Sequence, residues 1–224
     1  MMPSALISLV AILLHAEPQL GSPLRFSGYS VRPPLGFRMS RMEAFRETRA
    51  GAASSSPAAA RELAAALVDG PGDDAASMLV SLVDGPFTAS PGERDDFAAA
   101  TVRHFAEELG MTLSLERVQL FTGGAPHVEV LGSLRQEGQV RRILFAAMQG
   151  SPRHAVLLFS VPSGRYESMI DGLRASLGSF RAEGPAAVGL SRGASGAAAG
   201  ALAGALLVSL TLWRRNQKAR RRAG

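Results

Sequence analysis

The stretch Ala155-Val156-Leu157-Leu158-Phe159-Ser160-Val161-Pro162-Ser163-Gly164-Arg165-Tyr166-Glu167 decides the fold. From Ala155 to Val161 it is almost continuously apolar, as a central strand covered on both faces would be. An amphipathic helix follows Ser163. Tyr166, Met169, Ile170, Leu173 and Leu177 mark its buried stripe, and Phe180 lies just beyond the turn at Gly178.

Working outward, Ile143 to Met148 is a second continuously apolar strand. Before it, Leu113 and Leu115 alternate with Thr112, Ser114 and Glu116, and Val128 and Val130 alternate with His127 and Glu129, as antiparallel strands do. The turns fall at Gly123-Gly124, Glu137-Gly138 and Gly150-Ser151-Pro152. The clearest helix start is Ser90-Pro91-Gly92-Glu93, with an N-cap serine, a proline in the first helical position and a glutamate placed to close a capping box. Phe97, Thr101, Phe105 and Leu109 continue that helix at four-residue spacing to Gly110, and they must pack on the strands that follow. Earlier still, Arg61 to Asp69 has helix-forming composition but lies before the turn Asp69-Gly70-Pro71-Gly72-Asp73-Asp74 and the apolar run Ala76 to Val83, so the two segments read as a hairpin. Leu35, Phe37 and Met39 alternate with Gly36, Arg38 and Ser40 as a half-buried strand. Residues 17–34 carry turn formers without periodicity and read as a lead-in or edge segment, and Arg49 to Ala60 as a loop. Two amphipathic helices and a meandering sheet make an α+β domain over residues 35–182.

The segments outside that domain concern location. Leu6 to Leu14 is a short apolar run ending in His15-Ala16-Glu17, which reads as a signal peptide over residues 1–16 even though Met1 to Ala5 lacks Lys and Arg. A buried N-terminal helix is the competing reading. After a linker at 183–192, residues 193–213 are uncharged and span roughly 30 Å as a helix, the thickness of a hydrocarbon core. Arg214, Arg215, Lys218, Arg220, Arg221 and Arg222 follow at once in residues 214–224, a basic flank that the charge rule places in the cytoplasm. These six charges exceed the formal net charge of +5, so the remainder of the chain sits at −1 and lacks the footprint of a nucleic-acid binder. The arrangement predicts a single-pass protein of the bacterial cytoplasmic membrane, its domain outside and its C-terminus in the cytoplasm. Gly196, Gly200 and Gly204 repeat at four-residue spacing and predict a face for helix packing and homodimerisation.

No constellation predicts catalysis, a cofactor or a metal. There is no cysteine. His104, His127 and His154 lack metal-ligand spacing, and His104 is expected partly exposed. Asp73-Asp74 and Asp95-Asp96 suit a turn and a helix start. Gly189-Leu190-Ser191-Arg192-Gly193 matches the hydrolase elbow pattern but lacks its strand and helix setting.

The run from Ala155 to Glu167, continued to Leu177-Gly178-Ser179-Phe180-Arg181, resembles the closing strand and helix of PsbP/Mog1-like domains, and Leu35-Gly36-Phe37-Arg38-Met39-Ser40 is similar to their first strand. The resemblance covers residues 30 to 182 and implies an antiparallel sheet between helices, an α/β/α sandwich. It brings no catalytic residues. It implies a small exported or lipid-anchored bacterial protein, or a binding or assembly factor; with the span read above, the expectation is a membrane-anchored binding or assembly module acting on a protein partner. The alternative is an envelope domain that binds a small apolar molecule or lipid; a large cavity lined by Phe, Leu and Met would support it, and a filled core would count against it.

Overall fold

The computed structural model describes residues 18–40, 61–70, 72, 74–107, 110–136 and 138–182. The signal segment, the 49–60 loop, the 183–192 linker, the apolar segment with Gly196, Gly200 and Gly204, and the basic tail lie outside the described residues. Among the described residues no helix is long and apolar enough to cross a membrane.

The strands are β1 (Leu24–Phe26), β2 (Tyr29–Val31), β3 (Arg38–Met39), β4 (Arg61–Asp69), β5 (Ala76–Asp84), β6 (Leu113–Phe121), β7 (His127–Gln136), β8 (Gln139–Met148), β9 (Arg153–Pro162) and β10 (Arg181–Ala182); the helices are α1 (Pro91–Glu107) and α2 (Ser163–Gly178). Seven strands form one antiparallel sheet in the order β3-β4-β5-β9-β8-β7-β6. The chain leaves β5, crosses one face as α1, begins β6 at the far edge and meanders back until β9 pairs with β5. Then α2 covers the opposite face. The α/β/α layering thus follows from the two helices lying on either side of one meander.

Period-two alternation sorts the core. Along β9, Val156 and Leu158 join the α1 layer, whereas Ala155, Leu157, Phe159 and Val161 join the α2 layer. The α1 layer holds Phe97 and Phe105 against Leu79, Val130 and Phe145, with the Phe105 and Phe145 rings edge to face at 5.6 Å. The α2 layer holds Tyr166, Leu173, Leu177 and Phe180 against Met78, Leu144 and Phe159. Each such burial contributes roughly 1.5–3 kcal/mol.

Local signals explain the helix ends. Ser90 Oγ accepts the Glu93 amide at 3.3 Å, so α1 starts at the N-cap serine. After α1, Gly110 adopts φ +60° and the Met111 amide reaches the Phe105 carbonyl at 2.9 Å. The start of α2 is held from outside: Arg165 reaches Asp69 at 2.6 Å and the Asp74 carbonyl at 2.7 Å, clamping the helix to the β4–β5 turn.

Three expectations need correction. Residues 17–34 are more than a lead-in, because β1, β2 and β10 form a second, three-stranded sheet. Its seam joins both ends of the domain: Tyr29 stacks on Phe180 at 5.5 Å, and the Arg32 amide donates to Ser179 Oγ at 2.8 Å. The second correction concerns residues 35–40, where only Arg38 and Met39 are strand. Leu35 and Gly36 form a turn with Gly36 at φ +95°; Phe37 is buried, while Leu35 is 61% and Met39 53% exposed. The apolar alternation was real, but a sheet edge with a two-residue strand has cover for one of the three side chains. Third, His104 is buried rather than partly exposed. Seven residues after Phe97 it returns to within about 20° of that side chain on the helical wheel, inside the apolar arc.

The other two histidines are also core residues. His127 Nδ1 lies 2.7 Å from the Ala125 carbonyl and its ring stacks on Phe121; His154 Nδ1 lies 2.8 Å from the Gly85 carbonyl and its ring packs 5.3 Å from Phe87. A carbonyl accepts, so in both rings Nδ1 is the donor. Burial pushes both imidazoles below the ordinary value, outweighing the carbonyl bonds and, at His127, the pull of Glu129.

Two predictions follow from this packing. Phe37→Ala is expected to cost about 3–5 kcal/mol in a urea titration, while Leu35→Ala stays within about 0.5 kcal/mol; equal losses would restore the regular strand. The histidines bind a proton more weakly folded than unfolded, so stability is fully present above about pH 7.5 and declines as pH falls through the unfolded value near 6.5. The slope is bounded by about 1.4 kcal/mol per pH unit per histidine. Thermal melts between pH 7.5 and 5.5 should show a shallower decline for His154→Gln than for the parent, whatever the offset between them.

Candidate functional site

Strand β7 alternates Val128, Val130 and Leu134 toward α1 with His127, Glu129 and Leu131 toward α2. In a sheet covered on both faces the polar phase of that alternation has no solvent to point into. The Glu129 side chain is accordingly only 2% exposed. Its cross-strand neighbour on β8 is Ala146, which leaves space above the carboxylate. Two arginines occupy the surroundings: Arg174 from α2, with Nη2 3.6 Å from Glu129 Oε1, and Arg117 from β6, with Nη2 at 3.8 Å.

A bulge puts Arg117 there. Leu115 pairs with Gly132 and Arg117 with Leu131, so Glu116 is an extra residue on β6. Strict alternation from Leu115 would return Arg117 to the α1 face; the additional residue moves it to the α2 face with Glu129. The backbones approach closely at this point, since a Cβ on Gly132 would lie 2.9 Å from the Ser114 carbonyl oxygen and 3.0 Å from the Leu113 side chain. Only glycine fits without a shift of β6.

Glu116 pairs with Arg142 of β8, whose guanidinium lies 5.1 Å from the centroid of the Tyr166 ring. Burial pushes the Tyr166 hydroxyl up, Arg174 opposes this most strongly, Glu129 adds to it, and Arg117 and Arg142 pull back. The hydroxyl stays protonated. Among the described residues the Tyr166 hydroxyl, Glu129 Oε1 and Arg174 Nε are buried without a hydrogen bond. Both ion-pair distances to Glu129 exceed the roughly 2.7–2.9 Å of a charge-assisted bond. The group therefore holds strong donors and one strong acceptor near each other but not joined.

The two layers of the site differ in exposure. Glu129 lies beneath, while the Arg117 and Arg174 side chains are 43% and 39% exposed above it. A cleft of about 390 Å³ opens along the neighbouring row of the sheet, with Ser114, Ser133, Arg135 and Val140 in its lining. Ser133 is the cross-strand partner of both Ser114 and Arg142, so cleft and cluster adjoin.

The sequence pattern marked Glu129 only as a polar member of an alternating strand and singled out none of Arg117, Arg142, Tyr166 or Arg174 as a group. The signal was present once two helices were assigned to opposite faces, because a glutamate alternating with buried valines must then be enclosed. The bulge left no such trace. His104, His127 and His154 sit on α1, β7 and β9 and do not converge, and the described residues include no group of three His, Asp or Glu able to hold a metal. Asp95 pairs with Arg94 at 2.7 Å on the surface of α1. The Gly189 to Gly193 pattern lies outside the described residues.

No protein-family model and no curated protein matches the sequence. Solved structures do. The solution structure of cyanobacterial PsbP (CyanoP) from Synechocystis sp. PCC 6803 superposes with a TM-score of 0.52 at 13% identity, over 73% of this chain and 94% of that one. LpqN of Mycobacterium tuberculosis, described as involved in cell envelope biogenesis, covers 74% of this chain and 86% of its own at 15% identity and a TM-score of 0.38. The superposition on CyanoP, together with the antiparallel sheet between two helices, shows that the described domain has the PsbP/Mog1-like fold.

Proposed function

We propose that this chain is a non-catalytic binding module held at the outer face of a bacterial cytoplasmic membrane, where the domain presents the arginine-rich cluster and adjoining cleft to a partner. The observation that carries the reading is the pair of half-exposed guanidiniums over the buried Glu129. Arginine is enriched in recognition surfaces, and here a carboxylate that solvent does not reach holds two arginines side by side. Two groups that could serve acid–base chemistry are committed to structure, His127 and His154, each through Nδ1 to a backbone carbonyl. The fold supports the same reading, since the resemblance to PsbP/Mog1-like domains implies binding or assembly.

Anchoring rests on the sequence outside the domain. The uncharged segment from Gly193 to Trp213 supplies one span, and Arg214, Arg215, Lys218, Arg220, Arg221 and Arg222 retain the following residues in the cytoplasm. Gly196, Gly200 and Gly204 give that span a small-residue face for a second copy. An apolar ligand inside the domain is disfavoured by the packing, because Phe97, Phe105 and Phe145 fill the α1 layer and Phe159, Leu173 and Leu177 the α2 layer.

Intact-mass measurement of the membrane fraction is expected to find a product that begins at Glu17 and retains Gly224. Recovery of the protein solely in a soluble fraction would remove the anchor from the proposal. Replacing Gly200 and Gly204 together by Ile should weaken self-association in membranes at least several-fold, read by cross-linking; unchanged association would leave the segment a passive tether.

A further inference from the structure

We propose that Arg117 and Arg174, positioned by Glu129, form a binding site for a monoanionic phosphate group. This rests on the reading of the domain as a binding module and names the chemistry the module takes.

Charge gives the sign of the ligand. Arg117, Arg142 and Arg174 against Glu116 and Glu129 leave one positive charge, with Arg142 already paired to Glu116. Hydrogen-bond capacity points the same way. Each guanidinium offers five N–H donors and Tyr166 one more, whereas the nearest acceptor, Glu129 Oε1, lies at 3.6 and 3.8 Å. Donors thus outnumber acceptors, and two of them, Arg174 Nε and the Tyr166 hydroxyl, are buried without a partner. Leaving such groups unmet is costly, and an incoming acceptor would relieve that cost.

Layering decides between an anion and a cation. A ligand approaching from solvent meets the half-exposed arginine side chains first and the 2% exposed carboxylate last, so a cation would have to pass two like charges. Glu129 acts as a positioning residue, drawing both forks to one point from strand and helix. Donors that arrive from two elements suit the tetrahedral spread of phosphate oxygens better than one planar carboxylate. Two sources carry this chemistry: free phosphate, and the phosphodiester of an anionic lipid headgroup beside the proposed anchor.

The test uses the full chain in lipid nanodiscs, with the arginine Nε–H resonances as readout. In neutral phosphatidylcholine discs, inorganic phosphate should shift the Arg117 and Arg174 signals saturably, and Arg117→Gln or Arg174→Gln should weaken binding at least 10-fold. Arg103→Gln, on the exposed side of α1, should leave binding unchanged, and Glu129→Gln, which no longer draws the two forks to one point, should weaken it. If discs containing phosphatidylglycerol shift both signals before phosphate is added, the headgroup is the source. A response to phosphate alone assigns the site to a free anion. Failure of both, or a response that survives both arginine substitutions, overturns the site. Cross-linking to an envelope protein that occurs with the parent chain and is lost in the Arg117→Gln and Arg174→Gln variants would keep the wider binding reading intact even then.

Discussion

Covering both faces of a seven-stranded sheet is the constraint on which the rest of this structure depends. With α1 on one side and α2 on the other, each strand position must supply either an apolar side chain or a polar one whose needs are met inside. Strands β5, β8 and β9 obey with runs of Val, Leu, Ile, Met and Phe. Strand β7 does not, and Glu129 is the exception. A carboxylate without solvent costs several kcal/mol unless charge is brought to it. The bulge at Glu116, the close approach at Gly132 and the placement of Arg174 on α2 all bring positive charge to that one residue.

Why the exception sits on β7 follows from topology. The meander begins at the far edge and ends in the middle, so α2, which follows β9 directly, lies over β9 and β8. It is one helix wide. Strands β7 and β6 lie beyond the two it covers, and Arg174 reaches outward from it to Glu129 of β7. The result is a half-covered margin. An arginine is the appropriate side chain for it, since its stem packs on the sheet and its head remains in water.

The domain was legible in the sequence wherever periodicity and local punctuation agreed. Ser90-Pro91-Gly92-Glu93 marked the start of α1, the β4–β5 hairpin followed from its Asp-Gly-Pro-Gly turn, and the Ala155 to Phe180 run contained strand, helix and closing aromatic. Legibility failed where a side chain's environment was decided by distant chain. The lead-in became β1 and β2 because β10, some 150 residues later, offered an edge and Phe180 offered Tyr29 a ring. Leu35 and Met39 shared the pattern of Phe37 but not its cover. At the candidate site Glu129 was only the polar member of an alternation, and alternation reports that two faces differ and not which of them is wet.

The closing segment shows how one short motif couples the two sheets. Ser179 Oγ donates to the Ser176 carbonyl at 2.6 Å while accepting the Arg32 amide, so the end of α2 and the residue after β2 share one hydroxyl. Phe180 enters the α2 layer between them, and Tyr29 spans from its ring to the Arg153 carbonyl at the start of β9. The same helix that ends at this lock carries Tyr166 and Arg174 at its margin. The small sheet therefore fastens the end of the helix that carries Tyr166 and Arg174, and so links a structural motif legible in the sequence to a charged site that was not.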